Sequence, residues 1–263
     1  MSQFHTLNIK SVNKVTEQSV AISFEIPENL KSSYHFNAGQ YVTLKTTING
    51  EDVRRDYSIC SSKKSGELTV AIKAVEGGTF SVYANTILKV GDVLEVAPPN
   101  GRFVFEPDAS QSRTIAAFAA GSGITPIMSI AKTLLEEEPN SKFILIYGNK
   151  TPKETIFFNE ILELHHKYLD RFELHEVFSQ SEKPKALFGR IEKSTVNFIV
   201  KTEYKNIDID AFYLCGPEAM IETVKHVLED HGVAEDAILY ELFKSSTKGV
   251  SGVNSDVNGE SNI

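Results

Sequence analysis

The sequence changes rhythm once, around residues 107–112, and that change constrains the fold more than any other feature. Up to about residue 107 it consists of short strand-like runs separated by turns: SVAISFEI (19–26), QYVTLKTTI (40–48), RDYSIC (55–60), ELTVAIKAV (67–75) and DVLEVAP (92–98). Strands at that spacing predict a small antiparallel barrel or sandwich, interrupted by one helix-like segment at 79–88. Beyond the polar stretch 107–112, apolar strands alternate with longer helical patterns, the βαβ signature of a parallel sheet. The strands fall at 113–120, 142–148, 171–177, 211–215 and 237–242. Between them, Thr125-Pro126 reads as an N-cap followed by proline at the first helical position. Thr151-Pro152-Lys153-Glu154 has capping-box spacing for a second helix. A third begins near Gly216-Pro217 and stops at His231-Gly232, where glycine suits a C-cap. The second half is expected to be doubly wound α/β.

At 263 residues the chain is long enough for two domains, and 41% hydrophobic with 24% charged residues is an ordinary globular composition. The net charge of -8 arises entirely after residue 107. An acidic surface repels phosphate backbones, which argues against nucleic-acid binding and requires any bound phosphate to be held by local groups. Cys60 and Cys215 are too few for a disulfide framework, a four-thiolate zinc site or an iron–sulfur cluster, and point to a reducing compartment. No apolar run reaches the roughly 20 residues of a membrane span, and the N-terminus lacks the apolar core of a signal peptide. The expectation is a cytoplasmic protein with no membrane association. His165 and His166 are neighbours that cannot face one site on a helix, so no metal is expected. Glu136, Glu137 and Glu138 read as a solvated helix end, although three acids there oppose the helix dipole. Residues 245–263, rich in Ser, Gly and Asn, read as a flexible tail or linker.

Four segments carry chemistry. In Arg55-Asp56-Tyr57-Ser58, the two-residue period of a strand puts Arg55 and Tyr57 on one face, a pairing suited to an anionic diphosphate and a flat ring. Ser58 points the other way unless the strand bends. Gly77-Gly78-Thr79-Phe80-Ser81 opens the barrel's one helix, where free N–H groups and the positive dipole end form an anion site, though the same residues also serve as a plain cap. Gly121-Ser122-Gly123-Ile124-Thr125-Pro126 lies between a strand and a helix. That is the context of a dinucleotide diphosphate site, but Pro126 stands where the third glycine of G-x-G-x-x-G belongs. Cys215-Gly216-Pro217 lies at the same carboxyl edge of the sheet, where open α/β folds bind ligands; a lone thiol there is ordinarily a small buried hydrophobe.

Together RDYS, GGTFS, GSGITP, YGNKTPKETIF, YLCGPEAM and a late ELF occur in the order found in the ferredoxin-NADP reductase superfamily, which the chain resembles from about residue 3 to 244. Within it the sequence is most similar to reductase components of bacterial multicomponent oxygenases, the phenylacetyl-CoA epoxidase reductase type in particular. The resemblance implies a six-stranded antiparallel β-barrel at 3–107 that binds FAD, and a doubly wound parallel α/β domain at 113–244 that binds NADPH or NADH. It further implies that Arg55 holds the FAD diphosphate, that Tyr57 and Ser58 contact the isoalloxazine, and that Gly78, Thr79, Phe80 and Ser81 cap the diphosphate. Gly121, Gly123, Thr125 and Pro126 would receive the nicotinamide nucleotide, with Thr125 between the two rings and Cys215, Gly216 and Pro217 beside the nicotinamide. Glu241 and Phe243 fall where the family often has an acid near flavin N5 and an aromatic over the ring. Ser58, Thr125 and Glu241 are thus the expected catalytic groups.

The sequence departs from this pattern in three places. Relatives of this type usually continue into a [2Fe-2S] domain with C-x4-C-x2-C spacing, which is absent here. The expected electron acceptor is therefore an iron–sulfur or oxygenase component, carried on a separate protein or on a missing C-terminal domain. Ser179 is followed by Gln180 instead of the arginine that often holds the 2′-phosphate of NADPH, with Lys183, Lys185 or Arg190 as substitutes, so the nucleotide is open. The chain also runs past Phe243, so no aromatic is terminal. A stand-alone flavin or diaphorase-type reductase, and an FAD-binding regulatory subunit without turnover, are the alternatives.

Overall fold

A computed structural model describes residues 3–243, so the expected tail at 245–263 lies outside the described residues. The first half folds into β1 (His5–Thr16), β2 (Ser19–Glu25), a 3-10 helix (Glu28–Tyr34), β3 (Tyr41–Ile48), β4 (Glu51–Ser58), β5 (Leu68–Lys73), the α-helix α1 (Thr79–Thr86), and β6 (Val93–Val96). The strands form an antiparallel sheet in the order β4-β3-β6-β1-β2-β5. Ile59 bridges antiparallel to Val70, and Cys60 N–H donates to the Thr69 carbonyl at 2.9 Å, which brings the end of β4 onto β5 and closes the barrel. Its core is filled by alternate residues such as Leu7, Ile22, Leu44 and Val70.

β4 begins four residues earlier than its apolar text suggests, because Asn49 and Gly50, at φ 52° and 81°, make a tight hairpin that pairs Ile48 with Glu51. That register continues to Tyr41 opposite Ser58, so the turn fixes where Ser58 lies.

The second half holds β7 (Thr114–Ala120), α2 (Ile124–Glu137), β8 (Lys142–Asn149), α3 (Phe158–Lys167), β9 (Phe172–Phe178), β10 (Leu187–Phe188), α4 (Lys193–Phe198), β11 (Ala211–Gly216), α5 (Glu218–Asp230) and β12 (Ile238–Leu242). Its parallel strands run β10-β9-β8-β7-β11-β12. The chain winds outward in one direction from β7 and then returns to β11 on its other side, so the topological switch lies between β7 and β11. Apolar clusters cover both faces. Among the described residues no helix is long and apolar enough to cross a membrane.

Three local expectations are corrected. Thr125 is not an N-cap: α2 starts at Ile124 behind a single 3-10 turn, Gly121–Gly123, which places Thr125 and Pro126 inside the first helical turn. Thr151 and Glu154 do pair, Oγ1 to Oε2 at 3.1 Å, but they close only a 3-10 turn at Pro152–Glu154, and α3 begins at Phe158. Glu138 is not a solvated helix end. It is fully buried just past α2, where the Arg113 guanidinium grips both oxygens at 3.1 and 2.5 Å, Ser141 Oγ donates at 2.6 Å, and Asp108 N–H donates at 3.0 Å.

Candidate active site

Two strand-to-helix junctions meet at the switch point. A Cβ on Gly123 would stand 2.1 Å from the Cys215 carbonyl oxygen, so only glycine lets the β7–α2 junction lie this close to the end of β11. Tyr147 of β8 braces the turn, its hydroxyl donating to the Gly121 carbonyl at 2.9 Å. Thr125 is buried, and its Oγ1 donates back to the Ser122 carbonyl at 3.1 Å, which keeps the hydroxyl at the junction. Gly123 caps α2 without a side-chain hydrogen bond; the Ile124 N–H already donates to the Gly121 and Ser122 carbonyls and Pro126 has none, so what this end offers an anion is the positive end of the helix dipole and not a row of free N–H groups. On the facing side, Gly216 and Pro217 carry the chain from β11 into α5.

On the barrel side, Arg55 and Tyr57 share the face that period two predicts. The Tyr57 phenol is pushed well up by burial, and the Arg55 charge is near enough to oppose that shift. Tyr57 packs on Phe80 of α1 at a centroid distance of 5.6 Å. Arg55 Nη1 donates to the Arg54 carbonyl at 2.6 Å. A Cβ on Gly78 would lie 2.4 Å from Ser81 Oγ and 2.9 Å from the Val75 carbonyl, so glycine is required to close the turn that leads into α1. Ser81 is turned inward: its Oγ accepts from Val75 N–H at 3.2 Å. Thr79 stays exposed at the helix start, and the α1 N-cap makes no side-chain hydrogen bond. An aromatic face, a guanidinium and an open helix N-terminus are a donor set that fits a flavin dinucleotide.

One pair of the expected catalytic residues spans the two halves. Ser58, buried at the end of β4, donates from Oγ to Glu241 Oε2 of β12 over a long 3.4 Å. Glu241 is the register partner of Cys215. Burial pushes the Glu241 carboxyl up to about 7; the Ser58 hydrogen bond lowers it and the Asp56 charge raises it further. The Cys215 thiol is held well above its ordinary value by burial and then by Glu241, which leaves it a neutral thiol. Asp56 and Tyr41 belong to this cluster and were not singled out from the sequence; the Tyr41 phenol is raised by burial, then by Asp56 and Glu241. The Asn49-Gly50 hairpin was the signal that would have found Tyr41, since it fixes Tyr41 across from Ser58.

Other expected residues lie apart. Ser179 follows β9, two strands from β7, where its N–H donates to the Asn149 carbonyl at 3.0 Å. Of the basic residues near it, Lys183 is ion-paired with Glu176, while Lys185 and Arg190 are exposed. Phe243 is the last described residue and is 43% exposed.

A closed antiparallel barrel followed by a doubly wound parallel sheet is the architecture of the oxidoreductases that pair an FAD-binding with a NAD-binding domain, and the chain belongs to that family. Residues 6–105 match the oxidoreductase FAD-binding domain and residues 118–226 the oxidoreductase NAD-binding domain. The chain is 39% identical over 246 residues to one of the subunits that make up the 1,2-phenylacetyl-CoA epoxidase of Escherichia coli, a match covering 93% of this chain and 69% of that protein. It is 32% identical to a flavohemoprotein of Candida albicans across 72% of this chain, and spans only 47% of that relative's length. A ferredoxin NADP+ reductase from Neisseria gonorrhoeae, with bound FAD and NADP, superposes with a TM-score of 0.76 at 22% identity, covering 92% of this chain and 99% of that one. FAD and a nicotinamide nucleotide are therefore the cofactors of this fold.

Proposed function

We propose that this chain is the reductase component of a multicomponent oxygenase, serving an iron–sulfur or oxygenase acceptor. That acceptor is either a separate protein or a further domain. Bound FAD supplies the chemistry that converts a two-electron hydride from NADH or NADPH into single electrons for the acceptor. The observation that carries the reading is the meeting of Ser58 from the barrel with Glu241 from the wound sheet at 3.4 Å, beside Cys215 at the switch point.

In this reading the barrel, residues 3–107, holds FAD. Arg55 takes the diphosphate, Tyr57 packs against the ring system, and the Gly78, Thr79, Phe80 and Ser81 turn caps the diphosphate with backbone N–H groups while Ser81 supports the turn from inside. The wound domain, residues 113–244, holds the nicotinamide nucleotide. Gly121, Gly123 and Pro126 receive it at the α2 N-terminus with Thr125 between the two rings, Cys215, Gly216 and Pro217 line the slot, Ser179 binds at the adenosine end, and Phe243 covers the flavin ring. Ser58 and Thr125 are the polar groups nearest the reacting atoms. Glu241, with a carboxyl near 7, takes up or releases a proton close to neutral pH and acts as the proton relay. The buried Cys215 thiol stays protonated, shapes the slot and takes no part in proton transfer. We place the protein in the cytoplasm, with the pool of reduced nicotinamide nucleotides.

Anaerobic mixing of the FAD-loaded protein with NADH and, separately, NADPH tests this. Bleaching of the oxidised-flavin absorbance by at least one nucleotide is expected, followed by reoxidation on adding an iron–sulfur acceptor. Reoxidation by free riboflavin alone would instead mark a stand-alone flavin reductase, and no bleaching a binding subunit. Arg55→Ala is expected to weaken FAD binding by roughly 10- to 100-fold, as loss of a charge-assisted contact implies, with unchanged thermal unfolding of the FAD-free chain.

A further inference from the structure

Ser58 and Thr125 reach the seam on different elements, β4 and α2, so something must set their spacing. One face of α2 carries Thr125, Ser129, Lys132 and Thr133, at i, i+4, i+7 and i+8. Beyond Thr125 these side chains bind the barrel directly. Ser129, fully buried, donates from Oγ to the Ser61 carbonyl at 2.7 Å. Lys132 donates from Nζ to the Cys60 carbonyl at 3.1 Å and pairs with Glu160 of α3 at 2.7 Å. Thr133 Oγ1 accepts from Lys63 N–H at 3.3 Å. All the barrel partners lie in residues 60–63, the stretch that follows Ser58, and that stretch is itself anchored, with Ser61 Oγ donating to the Glu67 carbonyl at 2.6 Å. A shift of 60–63 is therefore a shift of Ser58.

Apolar packing also crosses here, with Ala38, Cys60 and Phe103 of the barrel in one cluster with Ile127, Ile130 and Ala131 of α2. Such packing is non-directional: it fixes how closely the halves approach, but it resists sliding along the α2 axis only weakly. Hydrogen bonds are directional and oppose that slide. Past Lys132 the seam opens into a groove of about 460 Å³ lined by Ser62, Ser65, Lys132 and Glu160, so no packed layer lies beyond the lysine to replace it.

We propose that Ser129 and Lys132 are positioning residues: by locking α2 lengthwise onto residues 60–63 they set the spacing of Thr125 from Ser58, and with it the alignment of nicotinamide nucleotide and FAD. The inference rests on the reductase reading above. Displacements of about 1 Å in such an alignment cost on the order of 100-fold in rate.

The test uses the FAD-loaded full chain as wild type, as Ser129→Ala/Lys132→Met, as Lys132→Met alone, and as Lys132→Arg, which keeps a donor for both the carbonyl and Glu160. In the double variant, hydrogen–deuterium exchange of residues 60–63 and of the first turns of α2 is expected to rise about 10-fold or more. Its FAD content and KM for the nucleotide should stay within about twofold, while the limiting rate of flavin bleaching falls roughly 10- to 100-fold. Lys132→Met should show the same split more weakly, and decides the matter if the double variant does not fold. Lys132→Arg should bleach at close to the wild-type rate. Unchanged exchange at 60–63 overturns the proposal, as does a limiting rate within about twofold of wild type. FAD content and KM worsening in step with the rate would also overturn it, since that is the mark of general structural support. A wild-type protein that neither nucleotide bleaches refutes the reductase reading itself, an outcome visible before any variant is compared.

Discussion

Glu241 is a carboxylate placed where its neutral form is favoured. Burial raises it to about 7, and the long bond from Ser58 only partly offsets that shift. An ordinary glutamate in the unfolded chain titrates near about 4.3. Between that value and about 7 the folded protein therefore binds the extra proton, and stability falls as pH rises through this window. Glu241→Gln removes the titration and keeps the shape. The variant is expected to match wild type at about pH 4.5 and to gain on it steadily up to about pH 7, after which the gap stays constant. Thermal unfolding of both proteins across this range checks it, and a gap that does not change with pH would mean that Glu241 has an ordinary pKa. The same substitution should remove a rise or fall near pH 7 from the profile of flavin reduction, because a relay must exchange its proton to act.

At the scale of elements, the C-terminal end of α2 is held by a side chain whose sequence neighbourhood suggests the opposite of burial. Desolvation pushes the Glu138 carboxyl up, but the Arg113 and Ser141 hydrogen bonds and the Asp108 N–H outweigh it and hold the group below its ordinary value. These contacts tie α2 to the 106–113 crossover, and Arg171 of β9's approach adds bonds to the Glu138 and Leu135 carbonyls at 2.8 Å each. Glu138→Ala leaves Arg113 half-buried and unpaired, and is expected to destabilise the protein by about 3 kcal/mol at neutral pH in urea unfolding. Because the folded value is depressed, that contribution is present above about pH 4 and is lost as pH falls through the lower folded value, so the two proteins should converge in acid. Three consecutive glutamates carry no sign of which one turns inward; the arginine that selects Glu138 lies 25 residues away in sequence. The same limit explains other differences between sequence and structure. β1 escapes detection because only Leu7 and Ile9 of its twelve residues are buried, leaving little alternation to read. The stretch after β9 offers no period at all, since β10 has two residues and α4 runs straight into a π turn at Ile199–Glu203. The inner strands β7, β8 and β11 of the wound sheet were legible to within a residue or so because burial on both faces makes them continuous apolar runs, with glycine at their ends. Of the site, the motif segments could be read from the residues themselves, but their convergence was expected only through the family resemblance: Ser58 and Glu241 are 183 residues apart, and only the fold brings them together.

At the scale of the whole molecule, the two halves share more than a linker. Phe103 and Phe105, which follow the last barrel strand, pack edge-on against Tyr213 of β11 at 5.3 and 6.4 Å, and the Tyr213 hydroxyl donates to the Val104 carbonyl at 3.1 Å. Arg113 stacks its guanidinium 4.7 Å from the Phe105 ring. The chain has thus docked on the wound sheet before the polar stretch at 107–112 where the sequence changes rhythm, and one apolar cluster takes in Ala38, Cys60, Phe103 and Phe105 together with α2, β7 and β8. Domains joined by a small polar interface unfold separately and move freely; halves that share a dry core lose it together. Calorimetry of this protein is accordingly expected to show a single transition. Phe103→Ala, which empties a 5%-exposed site on the barrel side, should lower the whole transition by an amount equivalent to about 3 kcal/mol. Two resolved transitions, with only the first shifted by the substitution, would show that the halves fold independently. In that case the spacing of Ser58 and Thr125 would be set by domain motion, and the shared core would contribute nothing to it.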